Sequence, residues 1–314
     1  MRNEFADELT KLGDTDPRLM MLSGDIGNRL FDKFRAKHPD RFINCGVAEQ
    51  NMMGVAAGLA LSGLRPVAYT ITPFVTTRCL EQIRVDVCYH NAPVMVVSVG
   101  AGLAYAGLGP THHACEDISF LRSIPGMIVC CPGDAWEVRA AMRAALRQDS
   151  PVYIRMGKKG EPHIHGGVPA DFAFGRAITM RAGDEVCLVS TGNILPEVMH
   201  AADDLAKHGH SVRVVSMHTV KPLDTAALAD AFGTCRLVAT LEEHSPIGGL
   251  GAAVAEWMVD SGTRAPPLGL MRSHTGDAFF RASGEQEYAR EQLGLTGHQI
   301  AARIEATLHG KAAS

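Results

Sequence analysis

The sequence predicts an α/β protein made of two doubly wound domains, each with a mostly parallel sheet. Short apolar or β-branched runs alternate with longer helical patterns, which is typical of βα units. The chain has 314 residues, roughly twice the length of a typical domain. A stretch rich in glycine and proline divides these patterns. We therefore assign residues 1–160 to a first domain, 161–183 to a linker and 184–314 to a smaller second domain.

The predicted strands of the first domain are mostly hydrophobic throughout, as expected where helices cover both faces of a sheet. A helix over Ala48–Ser62 is predicted to end before Gly63, a residue type common just past a helix end. Asp134 is the predicted N-cap of a later helix. The predicted strands are Leu19–Ser23, Arg41–Asn44, Pro66–Tyr69, Val94–Val99, Met127–Cys131 and Val152–Arg155.

The second domain shows the same alternation on a smaller scale. Its predicted strands are Val186–Ser190, Val212–Met217 and Leu237–Leu241. Its predicted helices lie near Leu195–His208, Thr225–Phe232 and Leu250–Asp260.

Composition excludes several classes of function. With 30 basic against 34 acidic residues and no basic patch rich in aromatics, nucleic acid is an unlikely partner. The longest uncharged stretch, Asn91–His113, contains two prolines and does not resemble a membrane helix. The start of the chain lacks the apolar core of a secretory signal, and the cysteines form no CxxC pair. We therefore expect reduced thiols, no metal site within this chain and a cytoplasmic location.

The segment from Asn44 to Ala60 is the most informative part of the chain. It places Glu49 in the first turn of a helix, followed by small residues that allow close backbone approach. A carboxylate held there in a partly apolar cleft would have a raised pKa. On local physics alone, an acidic residue favoured by the helix dipole explains Glu49 equally simply.

This segment resembles the G-x-A-E-Q motif of the transketolase family, which also includes deoxyxylulose phosphate synthase. The resemblance implies thiamine diphosphate as cofactor. It gives Glu49 a catalytic and cofactor-binding role, in which the carboxylate hydrogen-bonds the aminopyrimidine and exchanges its proton.

Further motifs extend the resemblance over nearly the whole chain. Ser23–Gly27 resembles a strand end whose aspartate, here Asp25, lies near the cofactor, although Asp25 is equally suited to cap a helix. Phe74 follows where the family places an aromatic ring on the pyrimidine, and such stacking is worth about 1 kcal/mol beyond burial. A core role is the alternative for this ring.

Two later motifs imply substrate contacts. Gly109-Pro110-Thr111-His112 resembles the family's G-[PA]-T-H loop, so His112 is expected to face the reacting carbon and bind substrate oxygens. The following His113 is expected behind it or at the surface. Arg155 ends a strand after which many relatives present an arginine to the substrate phosphate. A fork-shaped guanidinium suits that task, but a structural ion pair would explain Arg155 too.

The second domain fits the carboxy-terminal domain of the family. Its segment Leu241–His244 precedes a glycine run that lacks the strand-to-turn context of a nucleotide site. Relatives use this domain mainly to assemble dimers. We expect Glu243 and His244 to cap a helix or to lie at an interface.

One part of the family pattern is missing. Relatives hold the diphosphate and Mg²⁺ with G-D-G followed later by Asn, and no Gly-Asp pair in this chain continues as Gly-Asp-Gly. The chain is then either a decayed homologue or one half of a split enzyme. Retention of Glu49, Phe74 and His112 favours a separate α subunit with the G-D-G…N motif, in an α2β2 assembly that holds diphosphate and Mg²⁺ on the partner chain.

The predicted function is therefore that of a β subunit of a split transketolase, transferring a ketol unit from a ketose, expected to be a phosphate, to an aldehyde. Leu108 stands where relatives have an aspartate and Gly100 where transketolases have a histidine, so we expect an unusual sugar. The alternatives are a deoxyxylulose phosphate synthase-like enzyme, the β subunit of a 2-oxo-acid dehydrogenase, and a non-catalytic partner-binding subunit.

Overall fold

Two mostly parallel sheets with helices packed against them form the protein, which confirms the predicted fold class. The computed structural model describes residues 1–27, 29–158 and 160–310. The strands are β1 (Leu19–Ser23), β2 (Phe42–Asn44), β3 (Arg65–Ile71), β4 (Met95–Val99), β5 (Ile128–Cys130), β6 (Val152–Met156), β7 (Ile178–Arg181), β8 (Val186–Ser190), β9 (Val212–Ser216), β10 (Thr219–Lys221), β11 (Leu237–Leu241) and β12 (Leu270–Ser273).

The helices cover both sheets, as the uninterrupted apolar strands require. They are α1 (Arg2–Thr15), α2 (Asp32–Lys37), α3 (Glu49–Leu61), α4 (Thr72–Val75), α5 (Leu80–Gln82), α6 (Asp117–Ser123), α7 (Ala135–Leu146), α8 (Leu195–Lys207), α9 (Thr225–Thr234), α10 (Leu250–Asp260), α11 (Gln286–Gln292) and α12 (Gly297–Leu308). No helix in the described ranges is long and apolar enough to cross a membrane.

The first sheet has seven strands in the order β10-β5-β6-β4-β3-β1-β2, all parallel except β10. Two hydrophobic cores lie on its opposite faces, one containing residues of α1 and α7 and the other residues of α3. The second sheet has five strands in the order β12-β11-β8-β9-β7, and only β7 is antiparallel. Parallel order places the carboxyl ends of β1, β2 and β3 along one edge of the first sheet, where ligand sites of such sheets form.

Three short strands correct the sequence analysis. Strand β7 lies inside the segment predicted to be a linker, and it pairs with β9. Strand β10 follows β9 in the chain, yet it pairs with β5 of the first sheet through Thr219 and Lys221. Strand β12 pairs with β11. All three are edge strands, and none therefore needs the long apolar run that marks a central strand.

Candidate active site

The Glu49 carboxylate lies in a narrow space at the edge of the first sheet. Glu49 is the first residue of α3, and its side chain is only 3% exposed. Gly24, just beyond β1, provides the room. A Cβ on Gly24 would lie 3.3 Å from Glu49 Cγ and 3.2 Å from the Thr70 side chain. The Thr70 hydroxyl is buried without a hydrogen-bond partner, so this space retains an unused polar group.

Arg78 contacts both Glu49 and Phe74. Its Nη1 donates a hydrogen bond of 2.8 Å to Glu49 Oε2. Its guanidinium carbon lies 4.2 Å from the centre of the half-buried Phe74 ring, a cation–π distance. The arginine therefore makes the same two kinds of contact, stacking on Phe74 and bonding to Glu49, that a planar nitrogen heterocycle would make. Sequence reasoning missed Arg78, which lies beyond the end of α4 in a short 3-10 turn over Thr77–Cys79.

His112 also packs against Phe74. The two ring centres are 5.3 Å apart in an edge-to-face arrangement, and His112 Nδ1 is 2.9 Å from the Thr111 hydroxyl. Burial, together with the neighbouring His113, lowers the pKa of His112 below its usual 6.5. The imidazole is therefore mostly neutral at pH 7 and is able to accept a proton. His113 is buried behind the loop, with Nε2 3.1 Å from the Ala106 carbonyl oxygen.

Asp25 follows β1 at the same sheet edge but does not touch Glu49. Its Oδ1 accepts a 2.9 Å hydrogen bond from Asn44, and its φ is +57°. The alternative capping role is wrong for the adjacent helix, because the N-cap of α2 is Phe31. Asp25 lines a cavity of about 150 Å³.

Arg155 is buried and is bound by protein groups. The residue is 1% exposed, and its Nε donates a 2.8 Å hydrogen bond to Asp117 Oδ2. Its Nη2 donates to the carbonyl oxygens of Ala114 and Glu243 at 2.6 and 3.0 Å. This geometry favours the structural ion pair over contact with a substrate phosphate.

A tyrosine fills the space next to Gly100. Gly100 has φ +95°, and a Cβ there would lie 2.3 Å from the Tyr105 ring. The ring centre of Tyr105 is 6.5 Å from that of His112, while the side chain of Leu108 is exposed. Tyr105 is therefore a second residue that sequence reasoning missed. No spacing signal marked it, because the contact depends on the turn after β4.

The structure links Glu49 to Phe74 through Arg78 and places His112 against Phe74, while Asp25 follows the neighbouring strand β1. The described residues contain no group of three or more acidic, histidine or cysteine side chains that could hold a metal ion. Such an arrangement can bind a flat nitrogen heterocycle and move protons.

The two sheets and their helices define an α/β protein, and similarity to known proteins names its family. Residues 1–161 match the pyrimidine binding domain of transketolase, and residues 175–299 match the transketolase C-terminal domain. The chain therefore belongs to the transketolase family, and it corresponds to the second section of such an enzyme. Both statements confirm the sequence-based prediction.

Several relatives are single sections of similar length. The chain is 35% identical to a putative transketolase C-terminal section of Methanocaldococcus jannaschii, over 97% of this chain and 95% of that protein. It is 35% identical to an apulose-4-phosphate transketolase subunit of Actinobacillus succinogenes, over 85% of each chain. A 6-deoxy-6-sulfo-D-fructose transketolase subunit of Clostridium sp. (strain MSTE9) is also 35% identical, over 96% of this chain and 92% of that protein.

A solved structure shares the same architecture. It is described as an inactive β4 tetramer of a split-gene transketolase, and it superposes with a TM-score of 0.87 at 34% identity. The match covers 98% of this chain and 97% of that chain.

Proposed function

We propose that this chain is the β subunit of a split, thiamine diphosphate-dependent transketolase. It would transfer a ketol unit from a ketose, expected to be a phosphate, to an aldehyde after docking with an α subunit. The observation that carries the proposal is the cluster of Glu49, Phe74 and His112 in a chain without a diphosphate anchor.

The residues present fit the pyrimidine end of the cofactor. The buried Glu49 carboxylate and the unpartnered Thr70 hydroxyl offer polar contacts in a narrow space. The face of Phe74 now covered by Arg78 offers a stacking surface. Bound thiamine diphosphate would supply the nucleophilic carbon that cleaves the bond next to a ketose carbonyl.

Two side chains would handle protons. Glu49 would hold a proton against the pyrimidine ring, since its burial favours a short, directional hydrogen bond. His112, with its lowered pKa, would accept or return a proton at a substrate oxygen. Asp25 would line the cofactor side of the site.

The diphosphate and Mg²⁺ would be held by the partner's G-D-G…N motif, in a cytoplasmic α2β2 complex. A solved relative supports this division, since the split-gene transketolase similar to this chain is described as inactive in its β4 form.

The expected donor or acceptor is a modified sugar. The names of two relatives specify apulose-4-phosphate and 6-deoxy-6-sulfo-D-fructose. In this chain Tyr105 occupies the space beside Gly100, and Leu108 is apolar. Each change removes a polar partner, and an unpaired buried hydroxyl costs about 1–3 kcal/mol. Branched or deoxygenated sugars avoid that cost.

Reconstitution with a cognate α chain that carries the G-D-G…N motif tests the proposal. The complex should exchange ketol units, whereas this chain alone should show no turnover.

Glu49→Gln should lower kcat by at least about 100-fold, since it removes an acid–base group, while gel filtration shows unchanged assembly. Glu81→Gln, on the exposed surface nearby, is the matched control. Turnover by the isolated chain, or an unimpaired Glu49→Gln complex, would reject the proposal. CO₂ release from pyruvate would indicate a decarboxylating enzyme instead.

A further inference from the structure

The loop that carries His112 is attached at both ends to the second domain. Gly102 and Ala114 pair as an isolated antiparallel bridge, with N···O distances of 3.0 and 2.9 Å, so residues 102–114 form a closed loop. The backbone amide of Leu103 donates a 2.9 Å hydrogen bond to Glu243 Oε2. At the other end, the amide of Ser245 donates a 2.7 Å hydrogen bond to the carbonyl oxygen of Cys115.

Glu243 is the central group of this attachment. Its side chain is 0% exposed. Besides the Leu103 amide, it accepts hydrogen bonds of 3.0 Å from Gln286 Nε2 and a charged hydrogen bond from Arg290 Nε. Its own carbonyl oxygen accepts from Arg155, which also binds Ala114. A single buried residue therefore connects α11, the buried Arg155 and both ends of the loop.

The close approach depends on a glycine. Gly102 has φ +57°, and a Cβ there would lie 2.5 Å from both Glu243 Cβ and Glu243 Oε2. Around the same contact, Leu103 and Ala106 of the loop pack against Ala289 of α11 in a small hydrophobic cluster. The carboxylate is therefore held against the loop backbone by packing as well as by charge.

We infer that Glu243 is a positioning residue for His112, acting through the backbone of the loop. The second domain then does more than assemble subunits, because it sets the place from which the imidazole meets the substrate. The expectation that Glu243 caps a helix is wrong. Glu242 performs that task, accepting from the amides of Leu250 and Gly251 at 2.6 and 2.8 Å.

The chain offers a matched pair of substitutions. Glu243→Gln turns an NH₂ group toward either the Leu103 amide or Arg290, placing donor against donor. Glu242→Gln makes the same chemical change at an equally buried neighbour, where the affected partners are the amides at the start of α10. Both variants lose one buried carboxylate, but only Glu243→Gln disturbs the loop.

The catalytic meaning of this inference rests on the proposed function. Two measurements on the isolated full chain need no catalysis, so their result does not depend on whether the proposed function is correct. In Glu243→Gln, amide hydrogen exchange of residues 102–115 should accelerate. The NMR titration midpoint of His112 should also return toward its usual value. Glu242→Gln should leave both unchanged. Unchanged exchange and titration in Glu243→Gln would overturn the inference.

The effect on catalysis is measured in the reconstituted complex. Glu243→Gln should lower kcat by about 10- to 100-fold through misplacement of His112, with a small effect on cofactor affinity. Glu242→Gln should keep kcat. Equal losses in both variants would mean that Glu243 has only a general structural role. Should Glu243→Gln fail to fold, Gln286→Met removes one donor to the same carboxylate, and the same loop readouts decide.

Discussion

Gly100 shows how one residue can fix the chemistry available to its neighbours. Its φ of +95° lies where side chains are strained, and Tyr105 occupies the volume that a side chain would need. Burial raises the pKa of the Tyr105 phenol, so it stays neutral at physiological pH. Introducing a histidine at position 100 would therefore meet both a backbone strain and a filled space.

These two obstacles are separable by a double-mutant cycle. Gly100→Ala should destabilise the chain by about 1–3 kcal/mol, because strain and steric contact act together. In a Tyr105→Ala background the same change should cost only about 1 kcal/mol, because the backbone strain remains and the steric contact is gone. Urea unfolding of the four proteins gives both values. Equal costs in the two backgrounds would show that the tyrosine ring is not the obstacle.

At the scale of elements, the N-terminal end of α7 binds the segment that follows β6. Asp134 Oδ1 accepts from the amides of Trp136 and Glu137, which confirms it as the N-cap. Its Oδ2 accepts from the amides of Ile164 and His165 at 2.9 Å. The His165 ring lies 3.2 Å from Asp134 and 3.4 Å from Glu137. One helix end therefore fixes part of the predicted linker.

This contact should make stability depend on pH. Burial acts to raise the pKa of Asp134, but hydrogen bonds from His165 and from backbone amides outweigh it and lower the pKa to about 2. Burial likewise opposes the charged His165, yet both carboxylates raise its pKa above 6.5. Stabilisation by Asp134 is complete above pH 3.8 and lost as the pH falls toward 2. That of His165 is complete below 6.5 and lost as the pH rises through its folded-state pKa.

We therefore expect the pair to contribute most between pH 3.8 and 6.5. The Asp134 part is worth roughly 2 kcal/mol by linkage. Urea unfolding of wild type and His165→Gln across pH 3–9 measures the share of this stabilisation that depends on the His165 ring. The stability gap should be widest inside that window and narrow on both sides. A gap that stays constant with pH would contradict the assignment.

At the scale of the whole molecule, the two domains are interleaved. Strand β10 comes after β9 of the second sheet in the chain, but it pairs with β5 and so forms the edge of the first sheet. The buried side chains of Arg155 and Glu243 each form a hydrogen bond to backbone across the junction. Leaving a buried charge without its partners costs about 3–5 kcal/mol. The domains should therefore unfold as one unit.

The two tryptophans are suitable reporters for that prediction, since Trp136 lies in α7 and Trp257 in α10. The Trp136→Phe variant keeps only Trp257 in the second domain, and the Trp257→Phe variant keeps only Trp136 in the first domain. Their fluorescence transitions in urea should coincide with each other and with loss of helix by circular dichroism. Two separate midpoints would instead indicate independent domains.

The sequence predicts the central strands and the grouping of Glu49, Phe74 and His112, but not the contacts that cross the chain. The predicted strand Val94–Val99 differs from β4 only at its first residue, since apolar runs define buried parallel strands. The sequence does not predict strands β7, β10 and β12, because edge strands need less apolar sequence. Asp117 lies 38 residues from Arg155. The spacing of residues along the chain could not show that Arg155 is paired with Asp117, because tertiary packing brings the two together.

The position of Arg78 has a consequence for how the site fills. Because its guanidinium already covers Phe74 and neutralises Glu49, entry of a heterocycle is an exchange rather than an addition. The incoming ring must first displace a resident cation, and the observed affinity will reflect the difference between two occupied states. In the chain by itself, Arg78 therefore keeps the buried Glu49 carboxylate paired with a positive charge.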